Sequence, residues 1–458
     1  MKTNLLCFFL LLMQVSDAQI GRRFAAEKKE MQDPVTGARL VFLTTGSIGD
    51  SKIYQTHNQW TADGEWLIFR SGRVRGEAMA VHEKTGEMVQ VTEGGYTGML
   101  NIARKSMKLY FMRDPIRDSS RLRNNADSST RRRTTRPLQI IEVDLAAVFA
   151  DSKSGQMKQA SYYQRICGAT PEDLQAGGDM ALDADEEWAY FRVGKEAAAK
   201  KLPAGTVIEK NFGPRNMGEG PTGIAAMNIR SGETKFVVAV PFQIGHIQTN
   251  PWVPGEIVFC WETGGKSPQR TWTVMSDGSG LRPLYPESDY EWVTHEAVIS
   301  KDEVAIAIMG HRQIPGTNKE VEAPTGVGGA NPGQDPAWGP SGTREKPTGL
   351  AIINLRTREM EIAGQTKFGS GLWHVHGSSD GRWAVGDDFS RSIYLIDRQT
   401  REMKLLSTGH QRTAADHPHP TFSPDGTKIQ IQSAMLSADK KSMNICIIHL
   451  PEDWLKRK

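Results

Sequence analysis

Thr56–Ser71 reads THNQWTADGEWLIFRS, and His419–Ser433 reads HPTFSPDGTKIQIQS. Each joins a histidine, an Asp-Gly turn and a strong β run. A shorter copy, HVHGSSDGRWAVGD, spans His374–Asp387. The unit then continues as two β runs around a turn, as in AMAVHEKTGEMVQV (Ala78–Val91), IAAMNIRSGETKFVV (Ile224–Val238) and SIYLIDRQTREMKLL (Ser392–Leu406). Asp-Gly and Thr-Gly-Glu between alternating runs are hairpin signals. Seven such units begin near Ile53, Thr97, Gly177, Ile244, Trp292, Trp373 and His417. Their spacing, about 40–60 residues with insertions, is that of four-stranded propeller blades. The expected fold is all-β: a seven-bladed β-propeller of antiparallel blades, one domain over 19–458.

The last unit lacks an outer strand, while Ala38–Thr45 (ARLVFLTT) is a spare β run near the N-terminus. Pairing the two closes the ring and removes an exposed sheet edge. Two insertions, Asp114–Arg136 and His311–Pro347, fall between second and third strands and are expected at one mouth of the ring.

Lys2, the apolar run Leu5–Met13 and the small residues Ser16 and Ala18 form an export signal over 1–18, which places the chain outside the cell or in the periplasm. The apolar run is too short to span a bilayer. A net charge of +3 speaks against nucleic acid as the main partner. Cys167, Cys260 and Cys446 are far apart and match no metal spacing, and Cys260 and Cys446 read as buried thiols in strands.

The sharpest signal is positional. Of eleven histidines, seven fall in the first strand of a unit: His57, His246, His295, His374, His376, His417 and His419. In a propeller that strand lines the central channel. His57, His374 and His419 each stand six residues before the turn aspartate, and His246 and His295 match within one residue. The other two units carry Met99 and Asp179 there. Residues two apart share a strand face, which adds His417 to His419 and His376 to His374. Burying so many imidazoles without partners costs about 1–3 kcal/mol each. A divalent metal or an acidic substrate would satisfy them. Imidazole takes or gives a proton near neutral pH, and a uronic acid has an acidic C5 hydrogen beside its carboxylate. A base and a cation would together drive β-elimination of the 4-linked sugar. Arg73, Arg75 and Arg215 lie in loops on the expected mouth side, as does His311, and Trp60, Trp252, Trp292 and Trp373 flank first strands.

From about Gly245 onward the chain resembles the oligogalacturonate lyases. The matching pieces are GHIQTNP (Gly245–Pro251), VFCWE (Val258–Glu262), SDGSGLR (Ser276–Arg282), THE (Thr294–Glu296), HGSSDGRWAVGDD (His376–Asp388) and HPHPTFSPD (His417–Asp425). The resemblance implies a seven-bladed propeller that cleaves uronic-acid glycans with a divalent metal, Mn or Ca. It puts His246 in the place of the proton-abstracting base and His295, His417 and His419 on metal-binding histidines. Ala414 stands where that family has a glutamine ligand, so His376 or Gln411 would complete the shell. Arg215, Arg73, Trp373 and His311 are the expected substrate contacts. The chain also resembles glycoside hydrolase family 145, secreted propellers that release L-rhamnose from glucuronic acid; that resemblance makes His57 the catalytic group. Ulvan lyases share the architecture. A non-catalytic glycan-binding propeller is the remaining alternative.

Overall fold

A computed structural model describes residues 19–115, 136–210, 217–263, 267–287, 291–311, 348–364 and 372–457. Residues 1–18, Arg215 and nearly all of both long insertions lie outside the described residues.

Seven antiparallel sheets form the blades of a propeller. Their innermost strands are Asp50–Lys52, Thr97–Ile102, Met180–Leu182, Ile244–Thr249, Glu291–Ser300, Val375–Gly377 and Thr421–Phe422. These starts agree with the sequence units to within a few residues. Arg39–Phe42 pairs with Asn444–His449, with Leu40 opposite Ile448 and Phe42 opposite Cys446. Lys29–Gln32 adds a further edge strand to the same sheet. The N-terminal run thus closes the seventh blade, as the spare β run predicts.

Strand alternation glues the blades together. Leu40 and Phe42 pack with Trp383, Val385 and Leu395 of the sixth blade. Val41 and Leu43, on the opposite face, pack with Leu67, Phe69 and Val81 of the first. Every buried Val, Leu, Ile or Phe contributes about 1.5–3 kcal/mol. Similar apolar seams join the remaining neighbours around the ring. With the apolar residues drawn into these seams, the axis is left to the polar ends of the inner strands.

Candidate functional site: a histidine–carboxylate cluster at one mouth

His246, His295 and His419 share an unusual backbone. Their φ angles are +50°, +38° and +51°. Such left-handed geometry costs a non-glycine residue about 1–3 kcal/mol and concentrates at functional sites. For His246 and His295 it coincides with breaks in strand pairing, between Gly245 and Gln248 and between Thr294 and Glu296. The bulges turn the rings into the channel instead of the blade seams.

The rings converge. His295 and His374 have centroids 4.2 Å apart, His374 and His419 3.7 Å, and His374 and His417 5.2 Å. His246 stands 6.2 Å from His295. Tyr54 sits among them, 4.9 Å from His246 and 5.1 Å from His419. Trp373 walls one side, 4.6 Å from His295.

Carboxylates complete the cluster. Asp387 accepts the His374 amide at 2.7 Å and lies 3.2 Å from its Nδ1 and 3.5 Å from His417 Nδ1. Asp416 stands 3.1 Å from His419 Nε2, whose Nδ1 meets Gln55 at 2.8 Å. Burial, then the His419 charge, pushes His374 down to about 3 in spite of Asp387. Burial, with His374, Arg270 and His246 nearby, holds His295 well below its ordinary value. Both rings are therefore neutral. The buried Lys52 amine donates to Ile53 O and Thr421 Oγ1 at 3.0 and 2.9 Å, and burial pushes its pKa well below the ordinary lysine value.

These residues fit a divalent cation. Donor atoms of His374, Asp387 and His417 all lie within 4.8 Å of one another. Among the described residues, the buried His295 Nδ1 finds no hydrogen-bond partner. Neutral imidazoles with one or two carboxylates suit manganese or another first-row ion. They do not suit calcium, which takes six to eight oxygens, so the calcium alternative is set aside.

Beside this cluster lies a second, around His246. Its Nδ1 is 2.8 Å from Glu296 Oε1, and Arg270 Nε donates to the other Glu296 oxygen at 3.0 Å. Glu262 Oε2 lies 3.4 Å from His246 Nε2. Burial alone would lower the His246 pKa; Glu296 and Glu262 outweigh it and raise it. His246 opens onto a cleft with Arg70, Met99, Asp179 and Arg192.

The chain is not matched by any family model, nor by any curated protein. Among solved structures, an oligogalacturonate lyase in complex with manganese superposes with a TM-score of 0.65 at 16% identity, covering 96% of this chain and all of that one. The oligogalacturonate lyase of Vibrio parahaemolyticus superposes with a TM-score of 0.65 at 17% identity, covering 95% and 100%. The fold is the one these lyases use. At such identity the likeness speaks for architecture alone.

Several expected site residues lie elsewhere. His376 is not in the metal-like cluster: its Nδ1 accepts the Phe422 amide at 3.4 Å, and it lines the opposite mouth with His57, Arg104 and Trp252. The i,i+2 rule fails because the ladder starts only at Val375, so His374 precedes the regular pleat. His57 also leaves the common register. The inner strand of its blade ends at Lys52, and the chain then turns, His57 N donating to Tyr54 O at 3.0 Å. Tyr54 takes the place among the histidines. Arg73 is nearly buried, paired with Asp50 and, at 2.7 Å, with Glu27, so it has no free face for a sugar carboxylate. Trp60 is buried and donates to Glu83 at 2.9 Å. The His311 side chain and Arg215 lie outside the described residues.

The sequence reading missed Tyr54, Gln55, Glu262, Arg270, Glu296, Asp387 and Asp416. Glu296, Asp387 and Glu262 fall inside motifs already quoted, and Asp416 immediately precedes HPHP. A search for carboxylates beside the channel histidines would have found these four.

Proposed function

We propose that this mouth cleaves a 4-linked uronic-acid glycan by β-elimination, with a divalent cation held by His295, His374, His417, His419 and Asp387. The carrying observation is the convergence of four imidazoles from three blades beside a fifth, charge-supported imidazole, His246. When bound, the cation supplies Lewis-acid polarisation of the uronate carboxylate. Glu296 accepts from Nδ1–H of His246 and leaves Nε2 to take the C5 proton. The electron pair released at C5 forms the C4–C5 double bond, the C4–O bond breaks, and the leaving oxygen recovers a proton from water. Arg70 and Arg192, in the cleft beside His246, are placed to hold sugar carboxylates. Trp373 offers a half-buried ring for stacking. The fold likeness to manganese-bound oligogalacturonate lyase supports this reading.

A second reading, release of L-rhamnose by His57, draws on the opposite mouth, where Arg104 and Trp252 flank it. His57 is poorly suited to it. Its Nδ1 meets Thr56 at 2.7 Å and its Nε2 meets Met180 O at 2.9 Å, and burial lowers its pKa to about 4. Pectic oligomers, ulvan and gum arabic separate the readings. Elimination yields a conjugated product that absorbs in the ultraviolet; hydrolysis yields free rhamnose without it. Ultraviolet product that disappears in His246→Ala and persists in His57→Ala is expected. Rhamnose alone, lost in His57→Ala, would overturn the elimination reading.

A further inference from the structure

The second strand of the fourth blade puts a thiol beside the His246 ring. Cys260 pairs with Gly245 across the ladder. Its Sγ lies 3.7 Å from Glu262 Oε2, the same oxygen that stands 3.4 Å from His246 Nε2. All three donor atoms fall within 4.8 Å of one another. Around a tetrahedral zinc, with N and O ligands at ~2.0 Å and S at ~2.3 Å, donors stand about 3.3–3.6 Å apart. Two of the three edges are already close to that.

An independent feature points the same way. A metal-binding histidine commonly gives its other ring N–H to a carboxylate that fixes its tautomer. Glu296, 2.8 Å from Nδ1 and anchored by Arg270 at 3.0 Å, does this for His246 and turns Nε2 toward Cys260 and Glu262. Cys260 is fully buried, while His246 is half-buried and faces the open cleft, which leaves a route in and room for a water ligand.

We propose that His246, Cys260 and Glu262 form a second metal site, separate from the His374–Asp387–His417 cluster, for a thiophilic divalent ion such as zinc. A thiolate, a carboxylate and an imidazole are a borderline-soft set that selects zinc over manganese. Binding displaces the Cys260 proton to solvent. The opposing charge is Arg270, whose guanidinium is 4.0 Å from Glu262; Glu296 offsets it. One consequence rests on the elimination reading: zinc here occupies the Nε2 lone pair that would take the C5 proton, so zinc inhibits.

Cobalt(II) titrated into the full chain tests the site without substrate. A thiolate ligand gives an intense sulfur-to-cobalt charge-transfer band in the near ultraviolet, and imidazole and carboxylate ligands do not. The band should disappear on adding zinc, be absent in Cys260→Ser and persist in Asp387→Asn, where, with the other cluster no longer competing for cobalt, it should saturate at one equivalent. In Glu262→Gln, which keeps the thiol should Cys260→Ser fold poorly, half-saturation should need at least about tenfold more cobalt. No band, a band that survives Cys260→Ser, or unchanged cobalt affinity in Glu262→Gln would overturn the proposal. A band without uronate cleavage would leave the metal site standing and remove only the elimination reading.

Discussion

Glu296 Oε1 lies 2.8 Å from His246 Nδ1, and the same carboxylate is clamped by Arg270. The contact fixes the tautomer and also shifts the proton affinity. Glu296 raises the His246 pKa above the usual histidine value, so the basic form dominates only on the alkaline side. In the proposed reaction, kcat/KM therefore rises with pH through that raised value. Glu296→Gln keeps an acceptor for Nδ1–H but removes the charge. Its acid limb should move to lower pH, with a lower plateau from the weaker base. A pH–rate profile checks this, and an unmoved limb in the variant would mean that His246 is not the titrating base.

Asp387 is the hub of the other cluster, in contact with His374, His417 and the His419 amide. A cation bound there only in the folded state stabilises it by about 2.7 kcal/mol at a hundredfold excess over Kd. The unfolding temperature should rise with added manganese, fall back with a chelator, and stop responding in Asp387→Asn. Elimination activity should follow the same course. A variant that keeps the full manganese-dependent rise would place the ion elsewhere.

The histidine count and repeat spacing make the ring and most of this cluster legible in the sequence. What they left hidden has a common physical origin. Register counted back from a turn assumes an unbroken pleat, and the inner strands break where the histidines gather: at the positive φ of His246, His295 and His419, and at the turn after Lys52. That is why His57 and His376 line a different pocket from the other histidines, and why Tyr54 stands among the latter. Glu262 follows the second strand of the fourth blade and Arg270 precedes its third, and nothing in linear spacing brings them to His246. Arg73 looked like a mouth cation because Asp50 and Glu27, which engage it, are distant in sequence.

Arg73 yields a clean dissociation of stability from binding. Its side chain is 3% exposed, and it bridges Asp50 of the first inner strand to Glu27 of the N-terminal segment. Removing one partner of a buried pair costs about 3–5 kcal/mol, because the remaining charge stays desolvated. Arg73→Met should lose stability on that scale in denaturant unfolding while KM for an oligouronide stays unchanged. A raised KM with wild-type stability would return Arg73 to the substrate site.

Glu142, in the second blade, ties stability to pH away from either mouth. Burial would raise its carboxyl pKa, but hydrogen bonds from Arg165, Lys108 and Tyr110 outweigh this and hold it at about 2, against an ordinary 4.5. A depressed folded-state value means that the unfolded chain takes up the proton first as pH falls. The stabilisation is complete above 4.5 and is lost as pH drops through about 2. Arg165 and Lys108 are 46% and 35% exposed, so solvent screening trims the effect. About 1–2 kcal/mol at neutral pH is expected. Glu142→Gln should show that deficit in denaturant unfolding at pH 7, and the gap to the native chain should close as the pH approaches 2. A deficit that stays constant across the range would trace to lost packing or hydrogen-bond geometry, because only the carboxylate charge titrates in that window.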